Sequence, residues 1–174
     1  EGTTQLATAG KVIKVRFGTS TAGFFSTTTI AANGFWQIPN IGSSGFYLGM
    51  PIHVWIDGDS AFKAFTFTKA SSSAGNITNL DLYKDYMIVK HEGFTGTSTT
   101  NADLAVYDGD DNASIRYTAV AGGALNVWAS STLYIAPGTH FQPSGAVTLH
   151  GTAGGNGDGD LRLAGQPRDH GREA

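Results

Sequence analysis

Three acidic turns are the first features of this chain whose residue types and spacing could do chemistry. Asp or Asn recurs at alternate positions in Asp57-Gly58-Asp59, in Asp108-Gly109-Asp110-Asp111-Asn112 and in Asn156-Gly157-Asp158-Gly159-Asp160. Calcium prefers hard oxygen ligands, and alternate side chains of a tight loop can point inward together. The third turn begins like an EF-hand, but Leu161 and Pro167 stand where that loop needs Gly and Glu. An EF-hand is therefore excluded.

A looser calcium site stays open at the second turn, with Asp108, Asp110 and Asn112 as its ligands. The alternative is that Asp, Asn and Gly occur here because β-turns are built from them.

The chain has no Cys, which excludes disulfides and Cys-ligated zinc, and its five His form no closely spaced pair. Apart from a structural calcium ion, we expect no cofactor.

Patterns for nucleophilic or acid–base catalysis are missing. No Gly-x-Ser-x-Gly elbow occurs, and the glycine runs lack the Lys and the following helix of a phosphate loop. Glu92 is the only Glu away from the chain ends, so paired acid–base catalysis would fall on turn aspartates. We therefore predict that the protein is not an enzyme.

One Trp among polar neighbours is a candidate contact residue. His53, Trp55 and Asp57 alternate with three aliphatic residues, so the two sets should lie on opposite faces of a strand. An outward Trp beside polar groups suits stacking on a sugar ring or contact with another subunit. The alternative is that a second sheet packs on that face.

Two sequons for N-glycosylation occur, Asn76-Ile77-Thr78 and Asn112-Ala113-Ser114. Used sequons lie on surface loops of secreted proteins. The pattern also arises by chance in a chain rich in Thr and Ser. Asn76 and Asn112 are therefore candidate glycan sites and weak indications of secretion.

Composition and charge narrow the class of protein. Charged residues make up 14% of the 174 residues, against about 25% in an ordinary soluble domain. A net charge of -3 and the lack of a basic run argue against nucleic acid as a partner. No apolar stretch approaches the length of about 18 residues that a membrane span needs. The scarcity of Glu and Lys, with Thr, Ser, Gly, Asn and Asp in their place, favours strands and turns over helices.

Segment patterns predict an all-β fold, with a sandwich as its main architecture. Residues 11–17 alternate apolar with basic side chains, and Asn33-Gly34 is a strong hairpin signal between two strand-like segments. The predicted core strands are 13–17, 24–30, 35–38, 52–56, 62–67, 104–107, 115–120, 125–128, 133–135 and 147–149.

Two motifs carry a family resemblance. Residues 27–38 (TTTIAANGFWQI) join a Thr-rich strand, an Asn-Gly turn and an aromatic strand, and residues 51–58 (PIHVWIDG) resemble a later strand with its Asp-Gly turn. The pattern resembles the immunoglobulin-like repeats of large bacterial and archaeal surface proteins, over residues 10–70. The resemblance implies an extracellular β-sandwich used for adhesion, spacing or assembly, and it carries over no catalytic residue.

Changes in composition divide the chain. Residues 70–75 (ASSSAG) have the composition of a linker, which predicts an immunoglobulin-like module over 10–70 and a second β-rich module over 76–150. An extended segment, 1–9, precedes them, and a Gly/Asp-rich tail, 151–174, follows. One domain of this size is the alternative.

The leading functional hypothesis is a subunit or module of a surface filament, fibre or adhesin, located outside the cell. Its partners would be other copies of itself. Sheet edges accept added strands, and the candidate assembly residues are Leu6 near the start of the chain and Leu161 and Leu163 in the tail. The alternatives are a virion structural protein, such as a phage decoration or tail component, and a carbohydrate-binding module that holds a glycan on Trp55.

Overall fold

The computed structural model describes residues 1–4, 9–19, 24–39, 47–71, 76–90, 98–150 and 160–163. The described residues form twelve β-strands and a single-turn helix, which confirms the predicted all-β class. No helix among them is long and apolar enough to cross a membrane.

The elements are numbered in chain order. The strands are β1 (Gly2–Thr3), β2 (Val12–Phe17), β3 (Phe24–Thr29), β4 (Phe35–Trp36), β5 (Pro51–Asp57), β6 (Phe65–Lys69), β7 (Tyr86–Val89), β8 (Tyr117–Ala119), β9 (Leu125–Val127), β10 (Thr132–Ile135), β11 (Val147–Leu149) and β12 (Asp160–Leu163), and the helix is α1 (Asn101–Leu104).

Seven strands form one mixed sheet in the order β12-β10-β7-β6-β5-β2-β3. The strands β3, β2, β5 and β6 are antiparallel neighbours, while β6, β7, β10 and β12 run parallel. The predicted linker at 70–75 does not divide this sheet, because β6 before the linker pairs with β7 after it. The two predicted modules therefore share a sheet. Immunoglobulin-like sandwiches are built from antiparallel sheets, so that finer assignment is not confirmed.

A smaller sheet has the order β11-β9-β8. From β9 onward the chain alternates between the two sheets, since β11 lies parallel to β9 and β12 lies parallel to β10. Parallel neighbours need a crossover connection, and here each crossover passes through a strand of the other sheet. From β9 to β12, successive strands are therefore added to the small and the large sheet in turn.

Both faces of the large sheet are covered at its centre. One face packs Ile13, Val15 and the aliphatic residues of β5 against a layer that includes Trp36 and Leu82. The other face packs Trp55 and its neighbours against the small sheet and α1. The strand β5 lies between the two layers, and all of residues 51–56 are buried.

The helix α1 overlaps the predicted strand over 104–107, and that prediction is wrong. The Asp103 carboxylate accepts hydrogen bonds from the backbone N–H and the hydroxyl of Thr100, at 2.8 and 3.0 Å. A side chain three positions on that accepts from the N-cap backbone N–H is typical of a helix start. Lys69 of β6 forms an ion pair of 2.8 Å with Asp103, and this contact fixes α1 on the large sheet.

Candidate functional site

The three predicted contact residues of β5 share one face of the sheet, as their alternation predicts, but a second layer covers His53 and Trp55 on this face and Asp57 is half-buried. Trp55 and His53 are both 0% exposed. Layers containing Leu104, Tyr117 and Leu125 pack on this face of the sheet. The expectation of an outward Trp is therefore corrected, because a second layer covers the polar face of the strand. Trp55 has no free ring face on which a sugar could stack.

Asp57 is the hub of the polar contacts at one end of β5. Its Oδ1 accepts hydrogen bonds from Trp55 Nε1 at 3.1 Å and from Asn112 Nδ2 at 3.2 Å. Its Oδ2 pairs with Lys14 Nζ at 2.8 Å. Partial burial works toward a higher pKa, but the hydrogen bonds from Lys14, Trp55 and Asn112 outweigh it and hold the pKa of Asp57 below its ordinary value. The carboxylate thus ties the second acidic turn to the large sheet.

The predicted calcium ligands build a turn. Asp108 is buried, and its two carboxylate oxygens accept the backbone N–H groups of Asp110 at 2.9 Å and Ala119 at 2.7 Å. The Asn112 side-chain oxygen accepts the N–H of Ser114 at 2.8 Å. Burial raises the pKa of Asp108, against the effect of the backbone hydrogen bonds.

These contacts match the alternative that β-turn chemistry explains the motif. Across the described part of the chain, no group of three or more His, Cys, Asp or Glu is placed to hold a metal ion. A calcium ion at Asp108, Asp110 and Asn112 stays a prediction.

A buried cation next to His53 is a feature that the sequence pattern did not reveal. Arg16 of β2 lies opposite His53 in the register and is 0% exposed. Its Nη1 donates to the Gly18 carbonyl at 2.9 Å, and its guanidinium lies 5.3 Å from the ring centre of Tyr107. Its Nε and Nη2 have no hydrogen-bond partner among the described residues. Alternation with apolar residues places Arg16 on a polar face, but nothing in the pattern indicates that a second layer covers that face.

Burial, followed by the positive charge of Arg16, lowers the pKa of His53 from 6.5 to about 3. The main-chain groups of Asp103 and Leu104 act in the opposite direction. Neither ring nitrogen completes a hydrogen bond within the described part of the chain. His53 is therefore a neutral core residue at pH 7, packed against Phe67 with ring centres 5.0 Å apart.

The edge strand β3 presents the largest contrast to this interior. It pairs with β2 on one side, and among the residues that the structure describes no strand pairs with its other side. Phe25 is 40% exposed, and Thr27 and Thr29 are exposed on the same face. The Phe25 ring packs edge-on against Tyr107, with ring centres 5.5 Å apart. This strand carries no charge, Gly or Pro.

Two of the three predicted assembly residues lie in a strand that pairs with another strand of the same chain. Leu161 and Leu163 belong to β12, which pairs with β10 of the same chain opposite Leu133 and Ile135. This part of the tail is thus an extra edge strand of the sheet of its own chain, and its contact with another copy stays a prediction. Leu6 and the rest of the tail lie outside the described residues, while Gly2–Thr3 pairs with β4.

The two sequons differ in their surroundings. Asn76 is exposed. The Asn112 amide donates to Asp57 and accepts from Ser114, so both ends of that side chain are engaged in the fold. Asn76 is the better placed of the two candidate glycan sites, and its glycosylation stays a prediction.

Comparison with protein-family models, with curated proteins and with solved structures finds no match to this chain. The likeness to immunoglobulin-like surface repeats therefore stays a resemblance of two short motifs. What bears on function is the geometry of the chain itself.

Proposed function

We propose that this chain is a non-enzymatic structural protein of the cell exterior, a subunit or module of a surface filament, fibre or adhesin that associates through β-strand contacts. The observation that carries the proposal is the edge strand β3, which is uncharged and has exposed side chains.

Unprotected edges are unusual in soluble proteins. An edge strand presents unpaired N–H and C=O groups to any other strand, and natural proteins block such pairing with Lys, Pro, bulges or a covering segment. In β3 the six residues pair continuously with β2, without a bulge, and none of them is Lys or Pro. A strand of this kind fits a protein that uses strand pairing.

The polar groups that could have supplied chemistry serve the fold. Asp57 accepts the hydrogen bond that joins the second acidic turn to the large sheet, and Asp108 and Asn112 accept backbone N–H groups of that turn and of β8. His53 is a neutral core residue. These roles suit a structural protein, and the weak net charge of -3 gives little electrostatic repulsion between copies.

Light scattering across a concentration series, followed by electron microscopy, tests the proposal. The expected result is association that increases with protein concentration and gives particles of regular shape. A protein that stays monomeric at every concentration while binding glycans would contradict the proposal.

A further inference from the structure

We infer that β3 pairs antiparallel with β3 of a second copy, around a two-fold axis at Thr27, to give a closed dimer. This inference rests on the proposed function and names its partner. It is carried by the phase of the backbone hydrogen bonds, by the symmetry of the side chains and by the lack of charge.

The phase of the ladder decides which backbone groups of β3 are open. The N–H of Ile30, just after β3, donates to the carbonyl of Lys11 at 3.1 Å. Hydrogen-bonded pairs alternate along an antiparallel ladder, so the even-numbered residues of β3 bond to β2. The N–H and C=O groups of Phe25, Thr27 and Thr29 therefore point to the open side of the strand.

The other neighbour of β2 supports the same phase. The N–H of Gly18, just after β2, donates to the carbonyl of Pro51 at 3.0 Å. The even-numbered residues of β2 therefore bond to β5, which leaves its odd-numbered residues for β3. Both ladders agree.

The three open residues are complementary to themselves. When Thr27 faces Thr27 of the second copy, Phe25 faces Thr29 and Thr29 faces Phe25, and every open backbone group meets another open group. The pairs that result are aromatic with β-branched and Thr with Thr, which are among the favourable cross-strand pairs of antiparallel sheets. A two-fold contact uses the same surface on both partners and closes at two copies.

The surroundings of these side chains leave room for a partner. Phe25 and Val12 on the same face are 40% and 39% exposed, and Thr27 and Thr29 are exposed as well. Two cations lie on this face: Lys14, which pairs with Asp57, and Arg16, which lies opposite Phe25 and is 0% exposed. Neither presents a free charge at the surface to a second copy of the same strand.

The opposite edge of the sheet is a poorer partner for β3. The strand β12 carries Asp160 and Arg162, so pairing with it would set charged residues beside Phe and Thr. We therefore assign the second β3 as the partner.

Single-cysteine crosslinking tests the dimer, and the absence of native Cys makes every added thiol unique. In Thr27→Cys the two thiols face each other across the axis, within the reach of a disulfide. The matched control is Thr28→Cys. In the same register Thr28 faces Ser26 of the second copy and not the other Thr28. The Cα atoms of the two control cysteines are therefore more than about 7 Å apart, which is the limit that a disulfide tolerates. Under mild oxidation Thr27→Cys should form covalent dimers at least about tenfold faster than Thr28→Cys.

A charge variant completes the test. Thr27→Lys sets two ammonium groups opposite each other and should give a monomer in light scattering, whereas the uncharged Thr27→Val should stay dimeric. Thermal unfolding of each variant checks that the chain still folds.

The inference is overturned if wild type associates but Thr27→Cys crosslinks no faster than Thr28→Cys, and in that case the proposed function survives. If wild type stays monomeric at every concentration, the proposed function fails as well.

Discussion

The strands β3 and β5 belong to one sheet, yet their sequences and surroundings are opposed. The central strand β5 carries His, Trp and Asp, and nearly all of it is buried. The edge strand β3 carries only Phe, Ser and Thr, and its Phe25, Thr27 and Thr29 side chains are exposed. Polarity of the strand therefore does not decide burial in this molecule. Burial depends instead on the layer that packs on each face of the sheet. The layer formed by the small sheet and α1 covers β5, whereas β3 lies at the edge of the sheet and stays partly exposed.

Truncation of Trp55 gives the largest expected effect in this comparison. Trp55→Ala should lower the free energy of unfolding by about 3–5 kcal/mol, because it empties a large fully buried site. Phe25→Ala in β3 is the matched aromatic variant and should cost much less, since that ring is 40% exposed. Urea unfolding measures both. Equal losses would show that β3 is as well packed as β5.

Acid should weaken the β5 side of the molecule through His53. Its folded-state pKa of about 3 lies below the ordinary value of 6.5, so the unfolded chain takes up the proton first. The contribution of His53 to the free energy of unfolding is therefore fully present above pH 6.5 and is lost as the pH falls toward 3. Inside this window the free energy of unfolding falls by about 1.4 kcal/mol per pH unit.

The matched variant for this effect is His53→Phe, which keeps a ring against Phe65 and Phe67 but cannot take up a proton. The difference in unfolding free energy between wild type and variant isolates His53, because both proteins keep the same carboxylates. Parallel curves between pH 6 and pH 4 would contradict the burial of a neutral imidazole.

Replacement of Arg16 should stabilise the protein. Arg16→Met keeps much of the length of the side chain and removes a buried cation whose Nε and Nη2 lack partners among the described residues. We expect the free energy of unfolding to rise by about 1–3 kcal/mol in urea titrations. Arg16→Ala should lower it instead, because the loss of packing leaves a cavity. A large loss in Arg16→Met would mean that the guanidinium is well paired.

The smallest effect on folding is expected at the edge. Thr27→Lys should change the stability of the monomer by less than about 0.5 kcal/mol, since the side chain is exposed. Thermal unfolding at low protein concentration measures this. A strong destabilisation would show that Thr27 is part of the core of its own chain.

Much of the fold follows from local pattern. The alternation in β2 and β5 correctly predicted strands and correctly separated their two faces. What it could not predict is that both faces of one sheet are covered, because burial of Arg16 and His53 depends on residues more than 50 positions away, such as Leu104 and Tyr117. Local pattern also missed α1, whose start depends on two Thr100–Asp103 hydrogen bonds and an ion pair to Lys69.

The candidate sites show the same limit. The sequence of the acidic turn at Asp108 fits either a metal site or a β-turn, and in the structure its oxygens bind backbone N–H groups. The boundary at 70–75 has the composition of a linker, but composition does not report that β6 and β7 on its two sides pair. The open edge of β3 follows from strand order, which long-range pairing determines.

Amide hydrogen exchange on β3 tests the central claim most directly. In a dilute monomer, the N–H groups of Phe25, Thr27 and Thr29 should exchange fast and that of Thr28 slowly, because only Thr28 among these four bonds to β2. On association, the three odd-numbered amides should become protected while Thr28 changes little. Unchanged exchange at Phe25, Thr27 and Thr29 in the associated protein would contradict strand pairing at this edge.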